Sequence, residues 1–205
     1  LAYDLYEYAE SRSPQKTCHN IAKLMHAKEN SPLYGRIKIL GKADRTGQEI
    51  ISQATFVDRL IRLISRNPML DRDKIKRQQP LERPSDRWKA KLVFRNNFID
   101  DQDAIIAKTF WNYLAAVRAR WPDAWDNRDQ GMVLARSTGF AALVRLLPRI
   151  LDKLNASGIP SESQFAEYFK KSTLTGADFT SQRFPPGSSG ESALFKELER
   201  QIITA

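Results

Sequence analysis

The residue types that most often perform catalysis are few in this chain, and their spacing does not match common catalytic or metal-binding patterns. The two histidines, His19 and His26, are seven residues apart on one predicted helix, whereas paired helical metal ligands are typically four apart. Cys18 precedes His19 and therefore points about 100° away around that helix. The sequence contains neither a phosphate-binding loop ending in Gly-Lys-Ser/Thr nor a Gly-x-Ser-x-Gly motif. We therefore predict no catalytic residue, no metal site and no cofactor.

Three carboxylates, Asp100, Asp101 and Asp103, stand close together in the sequence. Carboxylate oxygens are ligands for divalent cations, so these residues are a metal-site candidate. They also lie at the start of a predicted helix over about 101–121, where acidic side chains interact favourably with the helix dipole. The second interpretation is far commoner, and we favour it.

Basic residues interleaved with aromatic ones give a stronger signal, which points to nucleic acid. Arginines at 59, 62 and 66 follow the spacing of one helix face, on a helix predicted to begin at Ser52 and end near Ser65. Further cations lie in a predicted loop over 70–86 and beside a tryptophan that can stack on a base. The predicted nucleic-acid-binding residues are Arg59, Arg62, Arg66, Lys74, Lys76, Arg77, Arg87, Trp88, Lys89 and Lys91.

Each part of that prediction has a structural alternative. The arginine stripe is equally typical of a solvated helix face, and Trp88 is more often a core residue than a stacking platform. Asp58 and Asp71 are close enough in sequence to pair with some of the cations.

A second candidate is an anion site at the predicted start of a helix, formed by Arg136, Ser137, Thr138 and Gly139. Free backbone N–H groups at a helix start can bind an anion, and Arg136 adds a positive charge beside them. The alternative is an ordinary helix start in which the glycine packs closely against a neighbouring segment.

The positive charge of the chain is concentrated in one stretch. The 205 residues carry 33 basic and 24 acidic side chains, a formal net charge of +9. Residues 36–95 hold 16 basic and 7 acidic residues, so the whole excess lies there, and we call this stretch the basic segment. A segregated excess of this size predicts a polyanionic partner, either nucleic acid or an acidic protein surface.

The apolar pattern predicts a mostly α fold, a helical bundle with a small β-hairpin near residues 36–51. We expect a single helical domain over 1–205, in which the basic segment 36–95 is followed by a helical core over 96–155 and a tail over 156–205. No apolar run is long enough to span a membrane, so we expect no membrane partner. One cysteine and a polar first 20 residues are typical of a cytoplasmic protein. The core helices are predicted from Ile105, Phe110, Trp111, Leu114 and Val117, and from Leu143, Leu146, Leu147 and Ile150.

Five strings, in order and spacing, resemble a known family. They are Leu5-Tyr6 to Ile21-Ala22-Lys23-Leu24, Ser31-Pro32-Leu33-Tyr34-Gly35-Arg36-Ile37-Lys38, Ile51-Ser52-Gln53-Ala54-Thr55-Phe56-Val57, Trp111-Asn112-Tyr113 through Trp121-Pro122-Asp123-Ala124-Trp125, and Ser137-Thr138-Gly139-Phe140-Ala141-Ala142-Leu143. Together they cover about residues 1–155 and resemble the helical C-terminal half of DGQHR-domain proteins, the DndB-like group of bacterial DNA-modification and phage-defence systems.

The resemblance implies a context of DNA phosphorothioation or related restriction. The Asp-Gly-Gln-His-Arg motif of that family lies in an N-terminal, ParB-like half, and no Gln-His-Arg occurs in this sequence. We therefore expect the chain to be a fragment of a longer protein, and the resemblance assigns no catalytic residue to it.

Three functions follow as hypotheses. The preferred one is a DNA-binding accessory domain of a DGQHR/DndB-like protein. The second is a protein-interaction or oligomerisation module that meets other proteins of the same defence or modification island. The third is the non-catalytic part of an enzyme whose active half lies elsewhere, which leaves open whether the whole protein is an enzyme.

Overall fold

The structure, a computed structural model, describes residues 12–39, 50–129, 131–156 and 158–204. These ranges form ten α-helices and two short strands, which confirms the prediction of a mostly helical fold. The elements are α1 (Pro14–Ala27), β1 (Ile37–Lys38), β2 (Ile51–Ser52), α2 (Gln53–Ile61), α3 (Pro68–Lys76), α4 (Asp86–Lys89), α5 (Arg95–Ile99), α6 (Asp103–Arg120), α7 (Pro122–Asp126), α8 (Ser137–Leu154), α9 (Glu162–Phe169) and α10 (Ser188–Glu199).

Local sequence sets where several of these helices begin. The hydroxyls of Ser13 and Ser52 and the side-chain carbonyl of Asn67 each accept a backbone N–H of the first turn that follows, in α1, α2 and α3. Ser161 and Gln164 form a reciprocal capping box at the start of α9. Each cap satisfies an N–H group that has no partner within its helix.

The two strands lie where the sequence predicts a β element, but they pair in parallel, with Ile37 opposite Ile51 and Lys38 opposite Ser52. A hairpin would make them antiparallel. Because β2 continues directly into α2, the packing of α2 against α1 sets the direction of β2. Both isoleucines are buried, so this small sheet adds its inner face to the core.

Aromatic rings from three helices form the centre of the core. Phe56 of α2 stacks on Phe140 of α8 with 5.4 Å between ring centroids, and Phe110 of α6 meets both rings edge-on. Tyr113 of α6 donates its hydroxyl to the carbonyl of Leu143 at 2.8 Å, and burial raises the pKa of this phenol well above its usual range. Rings in contact in this way hold α2, α6 and α8 at fixed separations.

Two further tryptophans attach irregular segments to that core. Trp121 donates its indole N–H to the carbonyl of Leu174 at 2.7 Å, and Trp125 donates to the carbonyl of Pro32 at 2.9 Å. Both rings are buried, so these bonds satisfy donors that would otherwise lie unpaired in an apolar environment. Throughout the described ranges, every helix is too short or too polar to cross a lipid bilayer.

The predicted loop over 70–86 is wrong, because its first part continues α3 and its end begins α4. The apolar pattern of α3 is weak, and Met69 and Leu70 remain about half exposed, whereas Ile75 is partly buried against the core. Asp71 is the one buried residue of α3, so an ion pair docks this helix together with the partly buried Ile75.

A carboxylate also attaches the last helix to the core. Glu191 of α10 is buried and lies 2.8 Å from the guanidinium of Arg59 on α2 and 3.2 Å from that of Arg145 on α8. One carboxylate therefore links three helices.

Neutralising this carboxylate provides a test of the α10 attachment. We expect Glu191→Gln to lower the free energy of unfolding by about 2 kcal/mol, below the roughly 3–5 kcal/mol of a fully buried pair because Arg145 is partly exposed. Glu167→Gln is the matched control, since Glu167 pairs with Lys170 on the exposed side of α9. Equal losses for the two variants in urea denaturation would contradict the role of Glu191.

Candidate nucleic-acid interface

The three arginines of the predicted stripe do not form one free helix face. The α2 helix ends at Ile61; Arg62 is its C-cap residue and keeps helical backbone angles, whereas Arg66 lies beyond the turn that follows. Arg59 is bound to Glu191, and one nitrogen of Arg62 donates to both carboxylate oxygens of Asp58, at 3.0 Å each. Arg59 therefore helps attach α10, whereas the charge of Arg62 is offset by an adjacent acid.

Arg66 instead lies over Trp88, with 4.0 Å between its guanidinium carbon and the ring centroid. Lys91 and Arg87 approach the same ring, at 5.2 and 5.8 Å from the centroid. We call Arg66, Arg87, Trp88 and Lys91 the Trp88 cluster. None of its three cations forms an ion pair with a carboxylate of the described residues.

The indole of Trp88 is half-buried, and it is not part of the main hydrophobic core. Arg66, Arg87 and Lys91 are all exposed. Cations over an aromatic ring interact with its negative face, and the cluster therefore holds three positive charges together at the surface.

The remaining predicted cations divide into two groups. Lys74 pairs with Glu82 and Lys89 pairs with Asp86, at 2.8 and 2.7 Å. The hydrogen bond from Lys89 lowers the pKa of the Asp86 carboxyl. Lys76 and Arg77, at the end of α3, are exposed and form no ion pair within the part of the chain that the structure describes. Arg77 follows Lys74 by three residues and thus lies on the same side of α3.

A groove of about 490 Å³ separates α3 from the segment 82–95, and we call it the Trp88 groove. Leu70 and Lys74 contribute one wall, while Glu82, Arg83 and Trp88 contribute the other. Lys74 and Glu82 form an ion pair between the two walls, and Arg83 pairs with Asp100 beside the groove. The hydrogen bonds from Lys74 and Arg83 lower the pKa of both carboxyls.

The floor of this groove is a buried ion pair. The guanidinium of Arg95 donates to both carboxylate oxygens of Asp71, one of them at 3.0 Å, and the hydroxyl of Ser65 donates to the same carboxylate. Arg95 also donates from Nε to the carbonyl of Glu82 at 3.0 Å. The ion pair as a whole therefore joins α3, the turn after α2 and the opposite wall.

The second candidate, at the start of α8, is closely packed. The N–H of Gly139 already donates to the carbonyl of Val133 at 3.1 Å, and Arg136 donates to the carbonyls of Arg128 and Asp129. A Cβ on Gly139 would lie 2.2 Å from the carbonyl oxygen of Leu134. Thr138 is buried and Ser137 is exposed. The structure therefore brings these residues together in the close packing that the alternative interpretation describes.

The other groups considered for chemistry are held in structural contacts. Asp100 pairs with Arg83, while Asp101 and Asp103 pair with Arg12. Burial, and next the charge of Asp103, raises the pKa of the Cys18 thiol, which therefore stays protonated. Among the described residues, no group of three His, Cys, Asp or Glu side chains is placed to hold a metal ion.

Trp88 and Lys74 of the groove were predicted as nucleic-acid contacts, but three other residues that shape it were not. Asp71 was considered only as a competitor for nearby cations, Arg95 only as one of the basic residues near Trp88, and Arg83 not at all. The partners of Asp71 and Arg83 lie 24 and 17 residues away in the chain, beyond the reach of helical spacing.

Comparisons with known proteins add no family assignment. No protein-family model matches the chain, and neither the curated proteins nor the solved structures contain a significant match.

The floor of the groove can be tested by removing one charge. We expect Asp71→Asn to lower the free energy of unfolding by roughly 3–5 kcal/mol, because it leaves the buried guanidinium of Arg95 without a counter-charge. The matched control is Asp86→Asn, which breaks an exposed pair and should leave the chemical denaturation curve nearly unchanged. A similarly small effect at Asp71 would show that the pair does not hold the groove.

Proposed function

We propose that this chain is a DNA-binding accessory domain that contacts phosphates through the Trp88 cluster and through Lys76 and Arg77. The surface is electrostatic and carries no array of side chains suited to reading bases in the major groove, so the binding is weakly dependent on sequence and strongly dependent on salt. The domain supplies affinity, and any chemistry lies in another part of the system.

The observation that carries this proposal is the distribution of ion pairs within the basic segment. Most described cations there are bound to a carboxylate, but six are exposed and form no such pair among the described residues: Lys38, Arg66, Lys76, Arg77, Arg87 and Lys91. Lys38 lies on β1, and the other five lie on α3, on α4 or in the turns beside these helices. Unpaired surface cations remain available to replace the counterions of a phosphate backbone.

The sequence resemblance to DGQHR-domain proteins supports the same proposal from an independent direction. We propose a cytoplasmic role in a bacterial DNA-modification or phage-defence system, in which a domain that grips DNA would position the modification or restriction machinery. The family assignment is part of this proposal and rests on the five strings given above.

A protein-interaction module is the second candidate, and one observation favours it. Met69 and Leu70 are 52% and 50% exposed on α3, next to the unpaired cations. An acidic partner with an apolar side would match such a surface. The partner would then be another protein of the same island, and DNA would bind weakly or not at all.

Charge reversal at the Trp88 cluster tests the proposed function. We expect the double variant Arg87→Glu with Lys91→Glu to weaken binding of random-sequence duplex DNA uniformly. It should also reduce the slope of log affinity against log salt by about 2, one unit for each lost phosphate contact. Fluorescence anisotropy over a series of salt concentrations measures both quantities.

The control is the double variant Lys153→Glu with Lys196→Glu, which makes the same change of net charge at exposed lysines of α8 and α10. It should leave the slope nearly unchanged. Equal slopes for the two double variants would assign binding to net charge alone and contradict the proposed surface. Absence of duplex binding by the unmodified protein would favour the protein-interaction module.

A further inference from the structure

We propose that the Trp88 groove accepts an unpaired nucleotide of a DNA strand, whose base stacks on the Arg66–Trp88 pair. This inference rests on the proposed function and adds the form of DNA that the surface prefers.

The stack is already assembled, and its upper layer faces solvent. The guanidinium of Arg66 lies 4.0 Å from the indole centroid, and Arg66 itself is exposed. A nucleic acid base can stack on a guanidinium plane as it does on an aromatic ring. A base can therefore extend the pair by one layer, or it can displace Arg66 and stack directly on Trp88.

The groove has the size and lining that a nucleotide requires. Its volume of about 490 Å³ lies within the range of small-molecule sites. Leu70 and Leu92 provide apolar contact beside the indole, whereas the charged lining of Arg66, Lys74, Arg83, Arg95, Asp71 and Glu82 has two more positive than negative groups. A nucleotide matches this lining, because its aromatic base suits the apolar part and its phosphate suits the excess of positive charge.

The floor of the groove is preorganised. Arg95 is fixed by Asp71 and by the carbonyl of Glu82, so both walls are held before any ligand arrives. A preformed site avoids the entropic cost of ordering its side chains on binding.

The preference for an unpaired nucleotide follows from the geometry of stacking. In an intact duplex, both faces of each internal base are covered by its neighbours, so a protein side chain can reach only base edges and the backbone. Single strands and extruded bases expose a π-face, and stacking on it is tolerant of sequence. The unpaired cations Arg87 and Lys91 can meanwhile hold the phosphates on either side of the stacked base.

Two DNA probes separate stacking from charge. The first is a fluorescein-labelled oligothymidylate of about 12 nucleotides, within the site size of single-strand-binding domains. The second is a fully paired duplex of the same length. We expect Trp88→Leu to weaken binding of the single strand by roughly 5- to 100-fold, the loss expected when one base–aromatic stack is removed. Duplex affinity should change less than about twofold. Trp88→Phe should retain most of the single-strand affinity, because it keeps a ring.

Tyr34→Leu is the matched control, since Tyr34 is a half-exposed aromatic residue that is not part of the groove lining. It should leave both affinities unchanged. Equal losses for the two probes in Trp88→Leu, or no loss for the single strand, would overturn the inference while leaving duplex binding by the cations intact. If the charge-reversal pair at Arg87 and Lys91 binds both probes normally, the proposed function itself fails.

Tryptophan emission gives a readout that does not need the leucine variant to fold. Oligothymidylate should quench part of the emission of the unmodified protein, and this part should disappear in Trp88→Phe while anisotropy still reports binding. Quenching of the same size in Trp88→Phe would show that the base does not stack at Trp88.

Discussion

A charge that is buried away from water needs a partner of opposite sign. The position of α3 against the rest of the fold depends on this constraint. Asp71 and Arg95 are 7% and 6% exposed, and the apolar contribution of α3 to the core is limited to the partly buried Ile75. This ion pair therefore contributes strongly to where α3 lies. It also decides that a groove remains between α3 and the segment 82–95, because the guanidinium holds the second wall by its bond to the carbonyl of Glu82.

The same constraint divides the cations of the basic segment into those that build the fold and those that remain for a partner. Arg36, Arg59 and Arg95 are drawn into contacts with Asp126, Glu191 and Asp71. Among the described residues, five of the six exposed cations of the basic segment without an acidic partner lie around Trp88 and at the end of α3, and the sixth, Lys38, lies on β1. The net charge of the sequence therefore overestimates the positive surface that an anionic polymer can contact. The pattern of ion pairs identifies which cations remain available.

Apolar spacing predicted the parts of the fold that dock through apolar contact. The residues predicted for α8, Leu143, Leu146, Leu147 and Ile150, are all buried, and α6 lies almost where Phe110, Leu114 and Val117 place it. The buried face of α6 is rotated relative to the predicted one, since Ile106 and Tyr113 are fully buried whereas Ile105 and Trp111 are only partly buried. These helices carry enough apolar residues for the pattern to dominate.

The parts that dock through charge could not be predicted in the same way. The α3 helix was interpreted as a loop because its buried residue is an aspartate whose partner lies in another part of the chain. The arginine stripe was predicted from a helical spacing that extends to Arg62 but not to Arg66, because α2 ends at Ile61. The assignment of Trp88 to nucleic-acid binding stays a prediction, and the position of Arg66 over its ring depends on a turn that no local pattern indicates. The DGQHR resemblance remains a prediction.

The central claim is that DNA meets this domain at the Trp88 cluster, and the four indole N–H groups of the chain can report on it together. In a ¹H–¹⁵N spectrum recorded during titration with a DNA oligonucleotide, the indole signal of Trp88 should move progressively. Those of Trp121 and Trp125, which donate to buried carbonyls, should stay in place. The indole signal that is missing from the spectrum of Trp88→Phe is that of Trp88. If DNA saturates the protein while the Trp88 signal keeps its position, the surface described here is not where DNA binds.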